Sequence, residues 1–166
     1  MIALSEIIKA KRQISAIVTK TPCALAPILS EVVGAEVYLK KENLQITGAY
    51  KLRGAYNKIA SLSKEEQERG VIAASAGNHA QGVAYSARSF GINATIVMPE
   101  ATPLLKVTGT KALGAEVILH GDNYDEAYAF ALKYAQKNHL TFIHPFEDDC
   151  VIAGQGTVAL EMFDDI

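Results

Sequence analysis

One lysine stands where chemistry can be expected of it, in the run Thr47-Gly48-Ala49-Tyr50-Lys51-Leu52-Arg53-Gly54-Ala55. A glycine-containing loop and an aromatic residue precede Lys51, and a helix is predicted to open there. The start of a helix favours anions, so a protonated amine is poorly placed at that point. A lysine whose pKa is lowered by such surroundings can act as a nucleophile or form a Schiff base. The alternative is a solvated surface lysine near Arg53. A second run, Ser75-Ala76-Gly77-Asn78-His79-Ala80-Gln81-Gly82, follows a short apolar stretch and opens another helix. Free N–H groups at a helix start can cradle a carboxylate or phosphate, and Gly77 lets a ligand approach the backbone closely. Otherwise Ser75 or Asn78 is an ordinary N-cap and His79 a polar first-turn residue. The run is neither a Walker loop nor the dinucleotide GxGxxG. A third run, Ala153-Gly154-Gln155-Gly156-Thr157, places two glycines before a predicted helix, for close approach of a ligand or of a neighbouring helix. His120, His139 and His144 have no metal-ligand spacing. Asp148-Asp149 and Asp164-Asp165 read as solvated turn residues.

The elements that must position these residues follow from periodicity. Residues 5–18 read as a first helix, capped by Ser5, with Ile7, Ala10, Ile14 and Ile17 on one face. Pro27 suits the first turn of a short helix that Gly34 ends, and 36–41 alternates like a strand. A loop then runs into a helix over 48–62. Ser63-x-x-Glu66 is a capping box and Gly70 a C-terminal stop. From there strands are expected at 71–74, 94–98, 115–119 and 141–144. Helices are expected at 78–90, 103–113 and 122–138, the last with Ala127, Phe130, Ala131 and Tyr134 inward. Strands alternating with helices predict an α/β fold with an open parallel sheet and helices on both faces. A ligand should sit at the carboxyl ends of the strands.

The chain has 166 residues, 49 % hydrophobic and 20 % charged, enough apolar material for a core and too much for disorder. A net charge of -2 and the absence of tryptophan give no footprint for nucleic acid. Cys23 and Cys150 are too few and too far apart for a disulfide framework and read as buried reduced thiols. No signal-peptide core or membrane-length apolar run occurs, so the expectation is a cytoplasmic protein with no membrane partner. The segment from Gly156 reads as the start of a helix that breaks off at Ile166 without a stop signal, so a fragment of a longer protein is expected.

Taken in order, these segments resemble the threonine/serine dehydratases (threonine ammonia-lyases) of the fold type II pyridoxal-phosphate enzymes. The resemblance is carried by Val37-Tyr38-Leu39-Lys40-Lys41-Glu42-Asn43-Leu44-Gln45, the runs around Lys51 and Ser75–Gly82, Val97-Met98-Pro99-Glu100, Leu113-Gly114-Ala115-Glu116-Val117 and Ala153–Thr157. It implies residues 1–44 as the N-terminal part of a large domain, 45–142 as the small α/β domain, and 143–166 as the start of the return to the large domain.

The same resemblance implies the chemistry. Lys51 matches the catalytic lysine that carries pyridoxal 5'-phosphate, and Asn78 the residue that binds the cofactor's ring hydroxyl. Ser75, Gly77, Asn78 and His79 match the cradle of the substrate carboxylate. The implied reaction is β-elimination of L-threonine to 2-oxobutanoate and ammonia, or of L-serine to pyruvate. Isoleucine biosynthesis or threonine catabolism is the setting, and a homo-oligomer the expected full-length assembly. Tyr50 replaces a frequent phenylalanine. Ala76 stands where serine racemases have a second serine and Phe146 where they have asparagine, which favours elimination. No GGGGL phosphate loop occurs in these residues, so a full cofactor site is not expected in them. The alternatives are a serine racemase-like enzyme and a non-catalytic ligand-binding α/β module.

Overall fold

The computed structural model describes residues 2–166. The chain opens with α1 (Leu4–Ile14), followed by β1 (Cys23–Leu25), α2 (Pro27–Val33) and β2 (Tyr38–Lys40). β1 and β2 form an antiparallel pair with Ala24 opposite Leu39. A 3-10 turn, Glu42–Leu44, leads to α3 (Lys51–Ala60) and α4 (Lys64–Arg69). The regular part then alternates: β3 (Val71–Ala74), α5 (Asn78–Ser89), β4 (Ala94–Met98), α6 (Leu104–Ala112), β5 (Glu116–Leu119), α7 (Tyr124–Asn138) and β6 (Thr141–Phe142). A long helix, α8 (Asp149–Asp165), completes it.

The four later strands form the expected parallel sheet, in the order β5-β4-β3-β6. Its period of two divides the core. Val71, Ala73, Ala94, Ile96 and Met98 join Ile59, Val83 and Ala87 on one face. Ile72, Ala74 and Val97 meet Ala127, Ala131 and Ala135 of α7 on the other. The chain moves outward from β3 to β5 and returns past β3 to β6. The order therefore reverses between β3 and β6, the switch point where an open α/β sheet leaves a crevice at its carboxyl ends.

Local signals decided several boundaries as expected. Ser63 accepts from Glu66 N–H while the Glu66 side chain accepts from Ser63 N–H, and Gly34 ends α2 with φ +69°. Elsewhere the structure corrects the expectation. α1 begins at Leu4 with Ala3 as its cap, so Ser5 lies within the first turn, and it ends at Ile14. Ser15 Oγ there bonds back to Arg12 O at 2.8 Å. α8 begins at Asp149 because Asp148 caps it, accepting from Cys150 and Val151 N–H, so the pair Asp148-Asp149 is a helix start. Gly154 and Gly156 accordingly lie inside a helix. Asp164 and Asp165 pair with Lys11 and Lys20. The two cysteines are free and only half-buried. Among the described residues no helix is long and apolar enough to cross a membrane.

Candidate active site

Lys51 is the first residue of α3, and its position is fixed from both directions along the chain. Before it, Gly48 turns the backbone at φ +70°, and its N–H donates to Gln45 O at 2.7 Å. The Gln45 side chain is itself tied to Thr19 through both of its polar atoms. Beside it, α3 presses on α5 at Gly82. A Cβ at Gly82 would lie 3.1 Å from the carbonyl carbon and oxygen of Lys51 and 3.2 Å from Leu52 N. A glycine inside a helix costs about 1 kcal/mol relative to alanine, so this one marks the close approach that brings the start of α3 against α5.

The Lys51 side chain reaches the far side of the crevice. Its Nζ donates to Pro145 O at 2.8 Å, in the turn that follows β6, and lies 5.5 Å from the centroid of the Tyr50 ring. Burial lowers its pKa from the ordinary lysine value of 10.5. No carboxylate opposes this, because Lys51 makes no ion pair among the described residues. The cause is thus desolvation, with the helix start a secondary disfavouring of charge.

The second run forms the adjoining wall at the carboxyl end of β3. Ser75 Oγ accepts from Gly77 N–H at 3.2 Å. Gly77 precedes α5, and the space a side chain would occupy there is open. Asn78 is exposed as the first residue of α5, where N–H groups have no intrahelical partner. His79 departs from the polar first-turn expectation. It is 3 % exposed, with Nε2 2.9 Å from Ile143 O. Burial pushes its pKa down to about 4.

The switch point therefore gathers Lys51, Ser75, Gly77, Asn78 and His79. It does not include the third run. Gly154 lies where α8 crosses α3, and a Cβ there would be 2.6 Å from Arg53 O and from Gly54 Cα; its glycine serves helix packing. A hollow of about 390 Å³ between α1, α3 and α8 is lined by Glu6, Lys9, Asn57 and Cys150 but not by Lys51. Its lysine is paired with Glu6.

Sequence reading missed three participants. Pro145 contributes only a carbonyl, which no side-chain pattern announces. Gly82 was legible only as a glycine within a helical stretch. Arg53, given no role by the sequence reading, is fully buried. It donates to Glu42 at 2.8 and 2.9 Å and to Glu161 at 2.7 and 2.9 Å.

Comparison with known proteins adds to this geometry. The family model described as pyridoxal-phosphate dependent enzyme matches residues 14–166. The chain is 58 % identical over 166 residues to an L-threonine ammonia-lyase of Thermotoga maritima, covering 100 % of this chain and 41 % of that protein. Among solved structures, threonine deaminase isoform 2 from Solanum lycopersicum superposes with a TM-score of 0.89 at 41 % identity, covering 99 % of this chain and 47 % of that one. Maize serine racemase gives a TM-score of 0.94 at 33 % identity, covering 99 % and 50 %. The chain thus spans about half the length of the relatives it matches.

Proposed function

Because the chain belongs to the pyridoxal-phosphate dependent enzyme family, we propose that it supplies the reactive lysine and the carboxylate cradle of an L-threonine ammonia-lyase that also accepts L-serine. The observation that carries this reading is the desolvated, carboxylate-free amine of Lys51, held in the crevice beside the start of α5. The residues fit the cofactor. An amine of lowered basicity suits an aldehyde, and the open space beside Gly77 leaves room at a helix start. When bound, pyridoxal phosphate supplies that aldehyde and an electron-withdrawing ring next to the substrate nitrogen.

The chain's own residues divide the remaining tasks. Lys51 Nζ would hold the cofactor, and as a free amine it is the base placed to accept the proton from the amino acid's Cα. The N–H groups of Asn78 and His79, with Gly77 and Ser75 beside them, would hold the substrate carboxylate and so fix which Cα bond faces the amine. Asn78, exposed at the mouth of the crevice, would hold the ring hydroxyl through its amide. In net balance the proton taken from Cα and the β-hydroxyl depart as one water, and the resulting enamine takes up a water to give 2-oxobutanoate and ammonia. Ala76 bears no proton-carrying group, which favours elimination over racemisation despite the likeness to maize serine racemase. On this reading the whole protein acts in amino-acid metabolism.

Borohydride reduction in the presence of pyridoxal phosphate, followed by peptide mass mapping, tests the reading. A single pyridoxyl adduct on Lys51 is expected, and a Lys51→Ala chain should show none there. Labelling spread over exposed lysines in both proteins would overturn it.

A further inference from the structure

The turn Ile143–Glu147 supplies the only hydrogen-bond acceptor for the Lys51 amine among the described residues, yet it belongs to no helix or strand. Three contacts define its shape. Ile143 N–H donates to Ile72 O at 2.8 Å, continuing the β3–β6 ladder by one residue. His144 Nδ1 accepts from Phe146 N–H at 3.2 Å and from Glu147 N–H at 2.7 Å, folding the chain back on itself. Across the crevice, His79 Nε2 meets Ile143 O at 2.9 Å. Only a nitrogen that carries hydrogen can bond a carbonyl oxygen, so Nε2 is the donor. Nδ1 is buried without a partner; left unprotonated, it avoids burying an unmatched N–H.

We infer that His79 is a positioning residue for Lys51: its ring holds the turn after β6 at the distance from α5 that keeps Pro145 O against Lys51 Nζ. The inference rests on the reading of Lys51 as the reactive amine. Its physical content is a chain of two hydrogen bonds that share one short turn. Ile143 and Pro145 are two residues apart, and the φ of Pro145, the torsion just before the accepting carbonyl, is fixed. A displacement at Ile143 O is therefore passed to Pro145 O with little backbone freedom to absorb it. The turn also covers the amine, so loosening it lets water reach Nζ. The titratable groups that face this region are His79 from α5, His144 and Glu147 from the turn, Tyr50 beside the amine, and Tyr128 from α7, whose ring centroid lies 6.0 Å from that of His144.

The test reads the amine itself, without cofactor. Acetylation by acetic anhydride across neutral to alkaline pH, with peptide mass mapping, gives the titration midpoint of Lys51. Two variants separate position from mere packing. His79→Gln keeps an N–H near the place of Nε2; His79→Asn keeps polarity but falls short of Ile143 O. The wild-type midpoint should lie below the ordinary lysine value of 10.5. His79→Gln should retain it, and His79→Asn should raise it by at least about half a pH unit, as renewed hydration favours the charged amine. An unchanged midpoint in His79→Asn would overturn the inference, as would an equal rise in both variants. Absence of a pyridoxyl adduct in the wild type would instead defeat the functional reading and leave this midpoint pattern untouched.

Discussion

Lys51 and Arg53 are two cations two residues apart in the first turn of α3, and their surroundings are opposite. Positions two apart do not share a helix face. Lys51 looks into the crevice, meets one neutral carbonyl and no carboxylate, and loses basicity through burial. Arg53 looks toward the 3-10 turn and α8, where Glu42 and Glu161 each take two of its N–H groups. Lys40 adds a second cation to Glu161 at 2.6 Å, and Thr21 donates to Glu42 at 2.6 Å. One cation has no carboxylate among the described residues to stabilise its charge, and the other has been saturated. A charge left uncompensated in a crevice is available for chemistry; a charge compensated twice over joins three segments of backbone.

The strongest way to break this contrast is to unpair Arg53. Glu161→Ala leaves a fully buried guanidinium facing one carboxylate and leaves Lys40 with Asp165, 3.7 Å away, as its remaining carboxylate. The expected loss is about 3–5 kcal/mol in urea unfolding, whereas a loss below about 1 kcal/mol would show that the network contributes no more than a surface pair.

A second measurement separates the two regions by pH. Burial lowers the His79 pKa from 6.5 to about 4. The folded form therefore resists protonation that the unfolded chain accepts. Stability should be full above pH 6.5 and should decline by roughly 2–3 kcal/mol as the pH falls toward 4. In Glu42 and Glu161, burial opposes ionisation, but the bonds from Arg53 prevail and hold both carboxyls below the ordinary 4.5. Their contribution is present above pH 4.5 and fades only below it. His79→Gln should flatten the first decline and leave the second in place, read by thermal unfolding along a pH series.

The smallest expected effect sharpens the contrast from the other side. Lys51 has a depressed pKa, so the charged amine costs stability at neutral pH and the cost vanishes at alkaline pH. Lys51→Met should leave stability unchanged or raised by up to about 1 kcal/mol at neutral pH. A marked fall in melting temperature would mean that Lys51 is structural after all.

How far the sequence reveals this depends on the distance over which each cause acts. The capping box of Ser63 and Glu66 and the strand Val71–Ala74 are written within a few residues, and both are found where the pattern places them. The helical start at Lys51 follows from the loop before it. The start of α8 is less legible, since Asp148 as a cap competes with the reading of two adjacent acids as a turn. Its partner Lys58 lies 90 residues earlier in the chain but 2.8 Å away in space. The burial of Arg53 depends on Glu161, 108 residues onward. The inward turn of His79 depends on Ile143, 64 residues onward. A helix-start histidine and a surface-like arginine carry no local mark of such partners. The glycine of the third run was legible as a close approach, and only the fold decides that the approaching group is Gly54 of α3 rather than a ligand.

The contact between Lys51 and Pro145 spans 94 residues, which gives the crevice a place in time as well as in space. Closing a loop of that length adds a larger entropy cost than any step within the β3–α5–β4–α6–β5 unit. Its far wall exists only once β6 has paired with β3. The amine of Lys51 stays hydrated, and ordinary, until that last strand docks. Its loss of basicity therefore reports that docking: in a refolding experiment, the reactivity of Lys51 should change together with the hydrogen-exchange protection of Ile143 N–H, which pairs with Ile72 O.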